Sequence, residues 1–175
     1  MKEEAFKIPV NKSELFGSGN YGSDFNDIET YLQNRVQNPT SIIIRKGLII
    51  DNLTFVYQGY SAVHGGKGGT LIETKLSQGD YIVKVSGTYG QFANQDLIET
   101  LTFTTKFGKV ISSNLPYPDK KDFEYTAKEG HSICALFGRA GCYLNSIGVY
   151  TIEHNFNLSG MNLSQIMQIV TNLMK

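Results

Sequence analysis

A chain of 175 residues is long enough for one domain with a sizeable core. Its 16 lysines and arginines balance 16 aspartates and glutamates, so no basic stripe marks it for nucleic acid or an anionic membrane surface. No apolar run reaches the roughly 18 residues that a transmembrane helix needs, and the start, Met1-Lys-Glu-Glu-Ala-Phe6, lacks the apolar stretch of a secretory signal. The expected location is therefore cytoplasmic or non-classically exported, or extracellular if a signal has been removed.

Eighteen glycines with ten Tyr and ten Phe are the mix of strands joined by tight turns. Residues 42–46, Ile-Ile-Ile-Arg-Lys, predict a short β-branched strand ending at Gly47. Residues 48–60 predict a second, in which Leu53, Phe55 and Tyr57 alternate with Thr54, Val56 and Gln58. After the glycine loop His64-Gly-Gly-Lys-Gly-Gly-Thr70, a strand pair is expected over 71–76 and 80–87, split by a turn at Gln78-Gly79-Asp80. Along 97–105, Leu97, Glu99, Leu101 and Phe103 take one face and Ile98, Thr100, Thr102 and Thr104 the other. Pro116 and Pro118 predict a loop, and strands resume near 123–126, 132–138 and 143–152. Such short strands at regular spacing indicate a sandwich, barrel or prism.

The last segment changes period. Leu163, Ile166, Met167, Val170, Leu173 and Met174 form one apolar stripe on an amphipathic helix, with Ser159 or Asn162 as its cap. A helix this short is marginal alone in water. It therefore docks on its own domain or pairs with its copy in a homo-oligomer. Membrane insertion is disfavoured because the segment carries a single cation, Lys175.

The glycine loop is not a nucleotide cradle. Lys67 is followed by Gly68 rather than Ser or Thr, and a strand follows where a phosphate-binding helix should begin. It is either a flexible hairpin turn or a bare backbone surface that a ligand can touch. Gly47-Leu-Ile-Ile-Asp51 is either a plain turn with an incidental Asp or a carboxylate beside backbone N–H groups, which suits adjacent sugar hydroxyls. His64 is read as a ligand contact or pH sensor, or else as a solvated turn residue. His131 and His154 stand apart from it, and no metal-ligand spacing, cofactor motif or nucleophile–base pair emerges, so the expectation is no metal, no cofactor and no enzyme. Cys134 and Cys142 are read as separate thiols or as a bridge across a turn. Gly141-Cys-Tyr-Leu-Asn145 repeats the shape of Gly47 to Asp51, pointing to an internally repeated β architecture.

Four segments, in this order, resemble the jacalin-related lectins. Gly138-Arg-Ala-Gly-Cys-Tyr-Leu-Asn-Ser-Ile-Gly-Val-Tyr150 is similar to their last hairpin. His64 to Thr70 and Gly79-Asp-Tyr-Ile-Val-Lys-Val-Ser-Gly87 resemble their central glycine loop and following strand. Phe16-Gly-Ser-Gly-Asn-Tyr-Gly22, with Phe25 and Asp27, resembles a worn copy of their N-terminal glycine loop. The resemblance spans residues 14–153. It implies an all-β fold, a β-prism of three four-stranded Greek-key sheets. The expected organisation is a lectin domain over residues 1–155 and a short helical tail over 156–175.

The resemblance also implies a glycan-binding function of mannose or glucose type, since the galactose-binding branch depends on a cleaved chain with a free N-terminal glycine. The usual sugar site maps to Gly19 of the N-terminal loop and to Gly141, Cys142, Tyr143 and Asn145 of the last turn. Asn145 stands where the pattern has Asp. A neutral amide has one acceptor oxygen and no charge, so this site is expected to be degenerate. A second site, carried by some mannose-binding members, maps whole: Gly47, Leu48, Ile49 and Asp51 in the turn, Gly65 and Gly66 in the loop. The alternative is a protein-interaction or targeting module on the same scaffold, because fold does not guarantee function.

Overall fold

The computed structural model describes residues 9–36, 38–113 and 120–175. In chain order it carries β1 (Val10–Lys12), β2 (Phe16–Gly17), β3 (Ser23–Asn26), α1 (Ile28–Asn34), β4 (Ser41–Lys46), β5 (Ile50–Tyr57), β6 (Tyr60–Gly65) and β7 (Thr70–Lys75). There follow β8 (Ile82–Phe92), β9 (Gln95–Thr105), β10 (Val110–Ser112), β11 (Lys121–Thr126), β12 (His131–Ala140), β13 (Leu144–Glu153) and α2 (Leu163–Leu173). The strands form three antiparallel sheets, ordered β1-β13-β12-β3, β6-β5-β4-β7 and β10-β9-β8-β11. β2 also pairs with β13, so β1 and β2 are two pieces of one interrupted edge. Each sheet is a central hairpin flanked by outer strands, and in the first two a crossover joins those outer strands across one end. This is the expected prism of three four-stranded Greek-key sheets.

Alternation decides what faces inward. Ile42, Ile44, Leu53 and Phe55 of the second sheet meet Val85, Leu101 and Phe103 of the third and Leu136, Ile147 and Val149 of the first in one core. The Phe55 and Phe103 rings meet edge to face at 5.7 Å, the arrangement their quadrupoles favour. Tyr57 is buried among them, and its hydroxyl donates to the Cys134 carbonyl at 2.7 Å, which satisfies a polar group that could not otherwise be buried cheaply. Cys134 is itself buried and Cys142 is exposed; both are free thiols.

Several local expectations change. The segments 71–76 and 80–87 do not pair: β7 belongs to the second sheet beside β4, and β8 to the third. The glycine loop is accordingly no hairpin turn but the crossover between the outer strands β6 and β7. The strand expected over 48–60 divides at a turn into β5 and β6. In β9 a register shift opposite Thr88 and Tyr89 makes Glu99 an extra residue. Such a bulge reverses the alternation beyond it. Ile98 therefore joins Leu101 and Phe103 in the core, and Glu99 is buried against Lys120 Nζ at 3.1 Å. The loop expected around Pro116 and Pro118 lies outside the described residues.

Helix α1 has no counterpart among the expected elements. Its seven residues bury only Ile28, Tyr31 and Leu32, too few for a periodic signal. It matters because α2 packs against it. Arg35, at the end of α1, donates from Nε to the Met161 carbonyl at 3.1 Å and ties the two ends together. Asn162, not Ser159, caps α2: its Oδ1 accepts from the Gln165 N–H at 2.9 Å, while Gln165 Oε1 accepts from the Asn162 N–H. The buried face is Ile166, Ile169 and Val170, whereas Leu163 and Met167 are exposed. The expected stripe is thus split: Ile166 and Val170 are buried together with Ile169, which lay outside it, where α2 packs on α1. Ile166 and Val170 are spent on the chain's own core, while Leu163, Met167 and Met174 stay exposed. Ile169→Ala is expected to lower unfolding free energy by about 2–5 kcal/mol and Met167→Ala by under about 0.5 kcal/mol, measured by denaturant titration.

Candidate functional site

The β4–β5 hairpin and the β6–β7 crossover meet at Asp51. A register shift after Arg45 tightens the hairpin, and the Gly47 N–H donates to the Ile49 carbonyl at 3.0 Å. Asp51, the second residue of β5, has only 7% of its surface exposed. Burial pushes its carboxyl up from the ordinary 3.8, against the pull of the Gly47 N–H and the Arg45 charge.

The crossover is fastened to the same strand. Gly65, at φ +114°, lies where a Cβ would collide with the Asp51 carbonyl oxygen. The Gly66 N–H donates to that oxygen at 2.8 Å, and the Gly66 carbonyl accepts from Asn52 Nδ2 at 3.1 Å. Thr54 in turn holds Asn52 Oδ1 at 2.8 Å. With Gly65 and Gly66 held in this way, the chain reaches the carboxylate at Gly68 and Gly69. A Cβ would stand 2.9 Å from Oδ1 at Gly68 and 2.6 Å from Oδ2 at Gly69, where φ is +72°. Arg45 Nη1 donates to the Lys67 carbonyl at 3.3 Å and supports the loop from outside.

Of the residues singled out in the sequence, Gly47 and Asp51 are brought together and Leu48 is exposed beside them, while the Ile49 side chain is buried. Gly66, expected to offer its N–H to a ligand, uses that N–H on Asp51 instead. The carboxylate is faced by Gly68 and Gly69, which the sequence reading missed. Gly-Gly-Lys-Gly-Gly contains two equivalent pairs, and only the pairing of Lys46 with Thr70 brings the second pair to the turn.

The same construction recurs at Asn145. The Gly141 N–H donates to the Tyr143 carbonyl at 3.0 Å, as in the Gly47 turn. Gly17 packs against the Asn145 carbonyl as Gly65 does on Asp51, and a Cβ on Gly22 would stand 2.6 Å from Asn145 Oδ1. Tyr21 occupies the place of Gly68. Gly19 has open space around it and meets none of these groups. Asn145 is 1% exposed, and its Nδ2 donates to Gln95 Oε1 at 3.3 Å and to the Asp96 carbonyl at 3.1 Å. Arg139 clamps the loop through the Tyr21 and Gly22 carbonyls at 2.8 and 2.7 Å. This copy is tied to the β8–β9 hairpin. The two copies touch, since Gly66 packs on the Cys142 carbonyl.

His64 is no solvated turn residue. It is the last residue but one of β6, and its Nε2 lies 2.7 Å from Asp27 Oδ2. Among the described residues no group of three His, Cys, Asp or Glu side chains could hold a metal ion. Nor is any described helix long and apolar enough to cross a membrane.

A model of the jacalin-like lectin domain matches residues 13–150. Horcolin of Hordeum vulgare is 31% identical over 141 residues, covering 75% of this chain and 90% of that protein. Among solved structures, wild-type Malaysian banana lectin is similar at 27% identity and a TM-score of 0.67, covering 82% of this chain and 99% of that one. A mannose-binding jacalin-related lectin from Ananas comosus is similar at 25% identity and a TM-score of 0.68, covering 83% of this chain and 99% of that one.

A carboxyl whose pKa is raised on folding favours the folded state below its unfolded value, and that advantage is lost as pH rises through the folded value. Asp51→Asn is therefore expected to raise the melting temperature at pH 7 relative to the parent, and to raise it less at pH 3. Melts across pH 3–7 check this. A gain that grows towards acid would reverse the sign.

Proposed function

The chain belongs to the jacalin-like lectin domain family, and on that premise we propose that it binds a mannose- or glucose-type hexose at Asp51 without transforming it. The observation that carries the reading is a desolvated carboxylate faced by the bare backbone of Gly68 and Gly69. Adjacent sugar hydroxyls are donors and acceptors at once. An ionised carboxylate accepts from two of them, while backbone N–H groups of the glycine loop and the Leu48 turn donate to the same oxygens. Without side chains on the loop, a flat ring can approach the main chain.

The proposal extends to specificity what the relatives supply by analogy: the Ananas comosus protein is described as mannose-binding, and a Parkia pendula relative, 30% identical over 168 residues, as mannose/glucose-specific. A site at which sugar hydroxyls replace water nearly one for one gives modest affinity. Several sites acting together would be needed for tight capture of a glycan surface.

The Asn145 copy has no part in this reading, because its amide is already bonded to Gln95 and Asp96. Asp51→Ala is expected to weaken hexose binding by about 100-fold or more, the equivalent of two charge-assisted hydrogen bonds. Asn145→Ala should change it by less than about threefold. A glycan array followed by calorimetric titration of both variants measures this. Unchanged binding in Asp51→Ala would overturn the assignment, and an empty array with the parent chain would favour the protein-interaction reading.

A further inference from the structure

The crossover that reaches Asp51 begins at Gly65, and the residue before it, His64, reaches across to another sheet. Its Nε2 is 2.7 Å from Asp27 Oδ2, and its ring stacks on Phe25 with centroids 3.6 Å apart. Both side chains are largely buried, at 11% and 14% exposure. Phe25 lies in β3, the outer strand of the first sheet, whereas His64 lies in β6, the outer strand of the second. The contact therefore joins two sheets at their edges, where no strand pairing joins them.

The internal repeat offers one comparison for this place. Phe16 stands before Gly17 as His64 stands before Gly65. Its ring stacks on Phe123 of β11 at 4.9 Å and joins the first sheet to the third. At the second crossover the aromatic contact is kept through Phe25, and a charge-assisted hydrogen bond is added. Asp27 gives up a local role for it. It occupies the N-cap position of α1, yet its carboxylate makes no cap hydrogen bond there. Asn26 Oδ1 takes the Ile28 N–H instead, at 3.2 Å. A carboxylate that leaves a helix end to hold a histidine 37 positions away in the chain fixes β6 in place.

From that anchor the route to Asp51 is short. His64 leads directly into Gly65, whose backbone abuts the Asp51 carbonyl, and then into Gly66, whose N–H is bonded to it. Gly68 and Gly69 follow against the carboxylate. A loop with four glycines in five residues has little stiffness of its own, so its position depends on how its ends are held. We propose that His64 and Asp27 are positioning residues for hexose binding: their clasp sets the glycine loop at the distance from Asp51 that a sugar ring requires, although neither touches the sugar. This rests on the Asp51 reading above.

The test separates the two. Titration with methyl α-mannoside reports on the site, and hydrogen exchange at the Gly66 amide reports on the loop without any sugar. The variants are His64→Ala, Asp27→Ala, their double, and His64→Gln, which keeps a donor towards Asp27. Each alanine variant is expected to weaken binding about tenfold and to speed Gly66 exchange about tenfold, with the double no worse than either single, as expected of coupled partners. His64→Gln should recover part of the affinity. Exchange in the Ile44 and Leu53 amides should stay as in the parent, which distinguishes a freed loop from a loosened core. Parent-like Gly66 exchange in both alanine variants would overturn the clasp, as would faster exchange with unchanged affinity. If Asp51→Ala leaves binding unchanged, the site reading fails, and the exchange data still decide whether the clasp holds the loop.

Discussion

The candidate site rests on a close approach between two backbones. Gly65 lies so near the Asp51 carbonyl that no side chain could be accommodated, and the Gly66 N–H completes the contact. A Greek-key sheet must return its chain across one end, and that crossover has few strand hydrogen bonds to fix it. Here the fixing comes from main chain against main chain, which only glycine permits. That contact draws the crossover over the hairpin, and the pairing of β7 with β4 then brings the second glycine pair to the carboxylate.

The repeat supplies an internal control. The first and second sheets share one construction, down to a Gly-to-carbonyl contact, a turn closed by a glycine N–H, and an arginine that braces the loop from outside. Their turns end on different side chains. Asp51 remains a carboxylate whose burial raises its pKa, which is a cost to the folded state at neutral pH. Asn145 is neutral, and its amide is absorbed into hydrogen bonds with the β8–β9 hairpin. One copy thus retains an unfavourable buried charge, and the other has become part of the scaffold. Both positions are buried, so what separates them is charge: the carboxylate of Asp51 against the neutral, hydrogen-bonded amide of Asn145.

The helices show a related economy. Neither belongs to a prism of three sheets, yet α1 and α2 pack on each other. α2 adds Ile166, Ile169 and Val170 to the apolar cluster, and Arg35 joins the end of α1 to the Met161 carbonyl. Asp27, at the junction of β3 and α1, turns outward to His64 rather than inward to its own helix. Helix α1 is in this way connected to the crossover that carries the glycine loop.

Much of this was legible in the chain alone. The period-two alternation of Leu53, Phe55 and Tyr57 marked a strand and its inward face, and the spacing from Gly47 to Asp51, repeated from Gly141 to Asn145, marked two equivalent turns. The exchange of Asp for Asn, read by counting acceptor oxygens, pointed to Asp51 as the residue to watch. These are local properties: each is fixed by residues within a few positions of one another. What sequence could not decide was long-range. Two glycine pairs in one loop are chemically identical until β7 pairs with β4 and sets the second pair against the carboxylate. The apolar stripe on α2 does not say which of its residues will be covered until α1, itself too short to announce, packs beside it. A bulge at Glu99 reverses a face without changing a single residue type. His64 beside a glycine loop looked like a contact for solvent or ligand, and its partner 37 residues away made it a clasp. In every case the sequence determined which chemistry was present, and only the tertiary structure decided which copy of that chemistry would be used, because register and packing choose between segments that local physics leaves equal.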